Sequence, residues 1–374
     1  MMPVPGNADA PGICALIPAA GYSARMRRFK PLLPMGDVPM IRAAIDLFHR
    51  AGIPDIIVVT GHHHDRLAPV VTDAGARAVF NPDHDAGMFS SICAGVAALP
   101  ADCRGFFLLP ADIPAVRPAT PGLILKAFIN DSSCPVIPEF NGTPGHPPLI
   151  PARLIPAIQT AGPDTRLRQI LFSGTVKKRS VHDRGILMDA DTPDAYEAAL
   201  AKYRCRHIPD REECLSIINH ELDGDTDIRA HLFLVEKTAM ALCRALVRFL
   251  PGLDPDLVRA GALLHDIKRR QTHHALAGKR FLAGLGFPGV ADIVGSHMTL
   301  DAPEPDPGER EIVFFADKLC RNHILDLDYP TVFRQKALDF PHAGQRIMQR
   351  LETAQYIHAR IESIIGRPLR EILG

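Results

Sequence analysis

The stretch Ile13-Cys14-Ala15-Leu16-Ile17-Pro18-Ala19-Ala20-Gly21-Tyr22-Ser23-Ala24-Arg25-Met26-Arg27-Arg28-Phe29-Lys30 decides how the first half of this chain is read. Ile13 to Pro18 is a short apolar run of β type, and it passes directly into small residues and a glycine. Such residues let backbone N–H groups approach a polyphosphate. Arg25 and Lys30 carry charge to neutralise one, and Arg27 and Arg28 add local positive potential. The spacing is neither that of a dinucleotide fingerprint nor that of a P-loop. The loop alone therefore reads equally as a phosphate site and as a surface connection with basic residues.

Outward from this stretch, β-type runs alternate with helical ones. Pro39 to Ala51 reads as an amphipathic helix, Ile56 to Thr60 and Ala76 to Phe80 as strands, Ser90 to Ala98 as a helix, and Gly105 to Leu109 as a strand. That alternation predicts an α/β domain of parallel strands joined by right-handed crossovers, with ligands beyond the carboxyl ends of the strands. The last of these strands leads to Asp112, a carboxylate placed either to hold Mg²⁺ against phosphates or to cap the next turn. Farther on, Ile186 to Tyr196 offers Asp189 and Asp191 ahead of a helix, where Asp191 or Thr192 also suits an N-cap.

The chain has 374 residues, which predicts two domains or three. Lys and Arg number 42, as do Asp and Glu, so the formal net charge is zero. Nucleic acid and membrane are accordingly not expected partners, although a local basic patch still suits a phosphate. Eight cysteines stand singly, with no C-x-x-C pair, and the apolar stretch near the start has no basic residue before Arg25. Both features, and the lack of an apolar run of ~20 residues, predict a cytoplasmic protein.

After about residue 205 the pattern changes. Pro209 to Asn219, Ile228 to Leu250, Asp256 to Arg269, His274 to Leu285, Gly289 to Ser296, Glu309 to Asp326 and Phe340 to Ile365 all carry apolar residues near helical spacing. We place a boundary between Tyr203 and Pro209, giving domains 1–203 and 209–374, the second all-helical. Its polar residues are distinctive: His231, the adjacent His265 and Asp266, His273 and His274, His297 and Asp317. Histidines and aspartates on separate buried helices suit one or two divalent ions, whereas burying a His-Asp pair with no partner is costly. Lys268 is placed to meet a substrate phosphate or to stay solvated. The run His62-His63-His64-Asp65 reads instead as a loop, because three consecutive imidazoles do not face one ion.

Five segments of the first half, in order, resemble the molybdenum cofactor cytidylyltransferases within the MobA-like nucleotidyltransferases. They are the Ala19-Ala20-Gly21 loop with Arg25 and Lys30, Asn81-Pro82 through Gly87-Met88-Phe89-Ser90-Ser91, Ala111-Asp112-Ile113-Pro114, Gly145-His146-Pro147, and Asp189-Ala190-Asp191-Thr192-Pro193. The resemblance implies a Rossmann-like nucleotidyltransferase sheet in which the terminal phosphate of molybdopterin attacks the α-phosphorus of a nucleoside triphosphate, CTP favoured, and pyrophosphate leaves. It implies Asp112 as a Mg²⁺ ligand, with Asp189 as the second carboxylate and Asp191 in reserve. Arg25 and Lys30 would hold the triphosphate, Ala19, Ala20, Gly21, Gly87, Ser90 and Ser91 would contact nucleotide or cofactor, and His146 would lie near the pterin. The sequence departs from the family at Arg27-Arg28, where a glycine is usual.

The helical half resembles the HD metal-dependent phosphohydrolases. By that resemblance His231, His265, Asp266, His274, His297 and Asp317 are ligands of one or two divalent transition metals such as Fe or Mn, and Asp266 belongs to the catalytic set. His274 is preferred to His273 because Ala-Leu-Ala-Gly follows it. Two alternatives stay open: a sugar or alcohol phosphate as acceptor of the transferase, and a helical half that senses a metal or nucleotide or docks a molybdoenzyme or its chaperone.

Overall fold

The computed structural model describes residues 12–374 apart from 27, 163–164, 301 and 322. The chain divides into two compact units, one ending at Arg206 and the other running His207–Gly374.

The first unit is built on an eight-stranded sheet. Its order is Lys177–Ser180, Val136–Phe140, Leu149–Pro151, Gly105–Leu108, Ile13–Pro18, Asp55–Thr60 and Arg77–Phe80, and Thr143–Pro144 also pairs with Val136–Phe140. Ile13–Pro18 is central and parallel to both neighbours, with Leu16 opposite Leu108 on one side and Ile57 on the other. Side chains alternate across a strand, so one strand can feed two cores. Ile13, Ala15 and Ile17 join the core under helices Met40–Arg50, His64–Asp73 and Thr120–Asn130. Cys14 and Leu16 join the opposite core, under helix Met88–Ala97. That helix comes unusually near the sheet at Gly95, where an added Cβ would press on Leu16 and come within 2.8 Å of Val59.

The expectation of a parallel sheet needs one correction. Leu149–Pro151 runs antiparallel to both Gly105–Leu108 and Val136–Phe140, so the sheet is mixed. The cause is local: Asn141 and Gly142, both at positive φ (49° and 82°), reverse the chain. The segment from there to Leu149 falls short of the roughly dozen residues that a crossover needs.

The second unit packs helices Thr226–Leu246, Pro255–Leu264, Glu309–Leu319 and Gly344–Ile365 around one core that includes Phe314, Phe315, Leu242 and Ile361. Side-chain caps begin several helices. Asp225 accepts from Ile228 N–H at 3.2 Å, and Asp254 from Asp256 and Leu257 N–H. Several boundaries differ from expectation, among them the helix expected over Ile228 to Leu250, which is Thr226–Leu246. The helix expected to reach Arg269 ends at Leu264, where His265 Nδ1 meets the Ala262 carbonyl at 2.8 Å. The helix expected to reach Asp326 ends at Leu319, and Cys320–Arg321 then pairs with Ile324–Leu325, so this unit is not wholly helical. The segment Tyr329–Asp339, left unassigned by periodicity, is a helix, and Gly344–Ile365 begins later than Phe340.

Candidate functional site

A cleft of about 290 Å³ opens at the carboxyl ends of the central strands. Its wall is the loop after Ile13–Pro18, held down by Ala19 N–H to Val59 O (2.8 Å) and by His62 N–H to Ala20 O (3.2 Å). Ala19, Ala20, Gly21, Lys30, Gly87, Ser91 and Asp112 all line it. A Cβ at Gly21 would meet no protein atom within 4 Å, which leaves the cleft side of the loop open. Gly87 adopts φ +94°, a conformation that favours glycine, and turns the chain into helix Met88–Ala97. The unpaired N–H groups of that first turn therefore begin at the cleft, where an anion is stabilised.

Charge is concentrated on the facing side. Lys30 Nζ lies 3.2 Å from Asp112 and 2.5 Å from Asp191, while Arg25 Nη1 lies 2.7 Å from Asp191. The hydrogen bond from Lys30, helped by the charge of Arg25, holds the Asp191 carboxyl below the usual carboxylate range against the effect of burial. Two contacts deliver Asp191 there. Ala190 N–H donates to the Asp112 carbonyl at 2.8 Å, and Tyr196 Oη donates to the Pro34 carbonyl at 2.5 Å. Met26, Leu33, Met35 and Met40 bury against Ala190, Tyr196 and Leu200, which ties the basic loop to the segment carrying the acid.

The remaining expected residues of this half separate. Asp189 is exposed, and its place beside Lys30 is taken by Asp191. Ser90 donates to Asp83 and Gly87 carbonyls and accepts from Asn81, so it braces the turn, whereas Ser91 faces the cleft. Arg28 is exposed, and Arg27 lies outside the described residues. The histidine run is only in part the expected loop: it turns at His63, at φ 64° with its ring 4.9 Å from Phe29, and His64 and Asp65 already open helix His64–Asp73, with His64 Nδ1 2.7 Å from Thr60 Oγ1.

A second cavity, about 530 Å³ and mostly apolar, adjoins the first and shares Pro18 and Met88 with it. His146 lines it, as do Leu108, Leu171, Phe172 and Arg168. Burial pushes the His146 imidazole below its ordinary pKa, against the pull of Asp112. Arg168 stands over the Phe172 ring at 5.5 Å and carries no sequence signal that singles it out.

In the second unit, six side chains from five helical segments converge. His231, His265 and Asp317 form one group and Asp266, His274 and His297 another, with one ligand atom from each residue within 4.8 Å of the others in its group. His231 Nε2 is 3.1 Å from Asp317 and 3.2 Å from His265 Nε2. Asp266 Oδ1 is 3.3 Å from both His274 Nε2 and His297 Nε2, and all three atoms are buried with no hydrogen-bond partner. Two of the other ring nitrogens are committed: His265 Nδ1 to the Ala262 carbonyl and His297 Nδ1 to the Val294 carbonyl at 2.6 Å. Such bonds fix the tautomer and leave Nε2 as a lone pair, the form that ligates a metal. Burial works against charge on Asp266, but His265, His274 and His297 outweigh it and hold the carboxyl below its usual range.

This donor set fits one or two divalent ions, since buried nitrogen and oxygen lone pairs without protein partners are stabilised by a cation. His273 is exposed and starts the next helix from φ 53°, and His274 is the one turned inward. Lys268 pairs with Glu221 and lies 4.0 Å over the Phe281 ring, so it is engaged away from the cluster. Sequence reasoning passed over Arg269, which pairs with Asp266, and Lys318, which bonds Asp317 at 2.6 Å and the His297 carbonyl at 3.0 Å.

A basic loop facing Asp112 at a strand end and Asp191 ahead of a helix defines a nucleotidyltransferase, and the histidine–aspartate cluster defines a helical metal domain of the His-Asp type. The chain belongs to the MobA-like NTP transferase family, whose domain matches residues 15–180, and it carries an HD domain over residues 228–322. It is 31% identical over 201 residues to the molybdenum cofactor cytidylyltransferase of Escherichia coli K12, covering 51% of this chain and 97% of that protein. It is 27% identical over 206 residues to the 2-C-methyl-D-erythritol 4-phosphate cytidylyltransferase of Nocardia farcinica, covering 52% and 76%. Among solved structures, that of Rv0371c from Mycobacterium tuberculosis H37Rv is 26% identical, covers 50% of this chain and 97% of its own, and has a TM-score of 0.44. No helix among the described residues is long and apolar enough to cross a membrane.

Proposed function

We propose that the first unit transfers CMP from CTP to the terminal phosphate of a molybdopterin-type acceptor. An acceptor phosphate oxygen bonds to the α-phosphorus, the bond to the β-phosphate oxygen breaks, and pyrophosphate leaves with that electron pair. The observation that carries this reading is the Lys30 ammonium shared between Asp112 and Asp191 at the edge of the phosphate loop. Lys30 and Arg25 offset the triphosphate charge, and the backbone around Gly21 and Gly87 positions it, so the chain acts through placement and charge neutralisation. Asp112 and Asp191 offer the oxygen donors that a hard divalent cation such as Mg²⁺ takes, and that ion supplies further neutralisation when bound. The apolar cavity with His146 receives the body of the acceptor.

The relative of 31% identity supports cytidylyl transfer to molybdopterin. A second reading keeps CTP and exchanges the acceptor for an alcohol phosphate, favoured by the likeness to the methylerythritol phosphate enzyme. For the helical unit, the two ligand groups support hydrolysis of a phosphoester, with Asp266 in the catalytic set and Fe or Mn as candidate ions. The eight free cysteines support a reducing compartment, the cytoplasm, for both activities.

One assay decides the first unit: pyrophosphate release from CTP, GTP, ATP and UTP with molybdopterin and with several phosphate monoesters, Asp112→Ala serving as control. CTP with molybdopterin is expected to be fastest. Equal rates with all four nucleotides remove the cytidylyl reading, and turnover only with an alcohol phosphate selects the second acceptor. For the helical unit, metal-dependent phosphate release from a nucleotide panel is expected, and a silent panel with tight ligand binding indicates a sensor.

A further inference from the structure

Beside the histidine–aspartate cluster lies a cavity of about 710 Å³, within the range of ~300–1,000 Å³ that holds small organic ligands. His231 and Asp317 reach it from the cluster. The facing wall comes from helices Tyr329–Asp339 and Gly344–Ile365, both beyond the residues that the HD domain match spans.

The cations of this cavity are not alike. Arg269 is paired with Asp266, Lys318 with Asp317, and Arg321 with Asp326 at 3.5 Å, while Lys336 is exposed to solvent. Arg350, projecting from Gly344–Ile365, has no hydrogen-bond or ion-pair partner among the described residues, and its Nε is buried. Leaving a guanidinium donor buried and unmatched costs free energy that an anion would recover. Burial, with Arg346 nearby, lowers its pKa against the pull of the Asp317 carboxylate, which stands outside ion-pair distance. Arginine also offers a planar fork suited to phosphate oxygens. Tyr329, Phe333 and Phe340 supply apolar surface around it.

We propose that Arg350 is a specificity-determining residue of the helical unit. It binds a second anionic group of the substrate, separate from the phosphoryl group presented to the metal cluster, so the cavity takes a doubly anionic organic phosphate rather than a simple monoester. The inference rests on reading this unit as a phosphoester hydrolase.

The test is binding without turnover. The chain contains no tryptophan, so Phe340→Trp places a single reporter on the cavity wall. Full-length F340W protein, stripped of divalent ions by chelator, is titrated with inorganic pyrophosphate while tryptophan emission is followed. A saturable change is expected. Adding Arg350→Met, which keeps the apolar stem, weakens it about tenfold or more, and Arg350→Lys restores part of the loss. Where the Met variant fails to fold, judged by its thermal midpoint, Arg350→Gln is read by the same criterion. No saturable change in F340W, or equal affinity without the guanidinium, overturns the proposal. Hydrolysis is not needed for this readout, so failure of the hydrolase reading shows separately, as absent phosphate release from metal-loaded protein.

Discussion

Lys30 Nζ stands 2.5 Å from Asp191 Oδ1, although 161 positions separate the two residues. With Asp112 and Arg25 they make a group of two cations and two carboxylates whose charges cancel. An arriving triphosphate competes with the carboxylates for the cations, which is how a site neutral at rest accepts a strongly negative ligand.

From this group follows the first prediction. Lys30→Met is expected to slow CTP-dependent pyrophosphate release by about 10²-fold or more, the scale for losing one positioned charge-bearing donor. Asp112→Ala should match it and Asp191→Asn should fall between these and wild type, while Asp189→Asn leaves the rate unchanged. Steady-state rates of the four variants check the order. A loss at Asp189 equal to that at Asp191 would contradict the geometry.

The cluster in the second unit predicts a change in metal content. His265 is fully buried with Nδ1 held by the Ala262 carbonyl, so His265→Ala removes a preoriented donor. Elemental analysis of purified protein should find transition metal near stoichiometry in wild type, well below it in His265→Ala, and unchanged in His273→Ala. Pyrophosphate release by the first unit should be untouched in all three.

His146 predicts a pH effect on stability. Burial sets its folded-state pKa below the ordinary 6.5, so below pH 6.5 the unfolded chain binds more protons than the folded one. Stability therefore falls as pH drops from 6.5 towards the depressed value, and no contribution is lost above 6.5. His146→Asn should flatten the unfolding free energy over that window, as urea titrations at several pH values would show.

Two glycines predict opposite phenotypes. Gly95→Ala forces a methyl against Leu16 and Val59 and should cost about 1–3 kcal/mol, read as a lower thermal midpoint. Gly21→Ala meets no protein atom, so the midpoint should hold while KM for CTP rises, because the new methyl occupies the cleft.

Much of this molecule is legible in its residues. The alternation of Ile13, Ala15 and Ile17 with Cys14 and Leu16 specifies a strand buried on both faces, and the proline-punctuated helical periods after residue 205 specify a second unit. The histidines and aspartates of the helical half stand out because buried groups of that kind need partners. These features depend on neighbours a few positions apart, where propensity and periodicity act. Other features depend on which distant surfaces pack. The reversal of Leu149–Pro151, the choice of Asp191 over Asp189 beside Lys30, and the isolation of Arg350 in a cavity have no local signature. A carboxylate or guanidinium is placed by the apolar contacts of its whole segment, as Ala190 and Tyr196 place Asp191. Long-range packing of that kind is decided only when the tertiary structure forms.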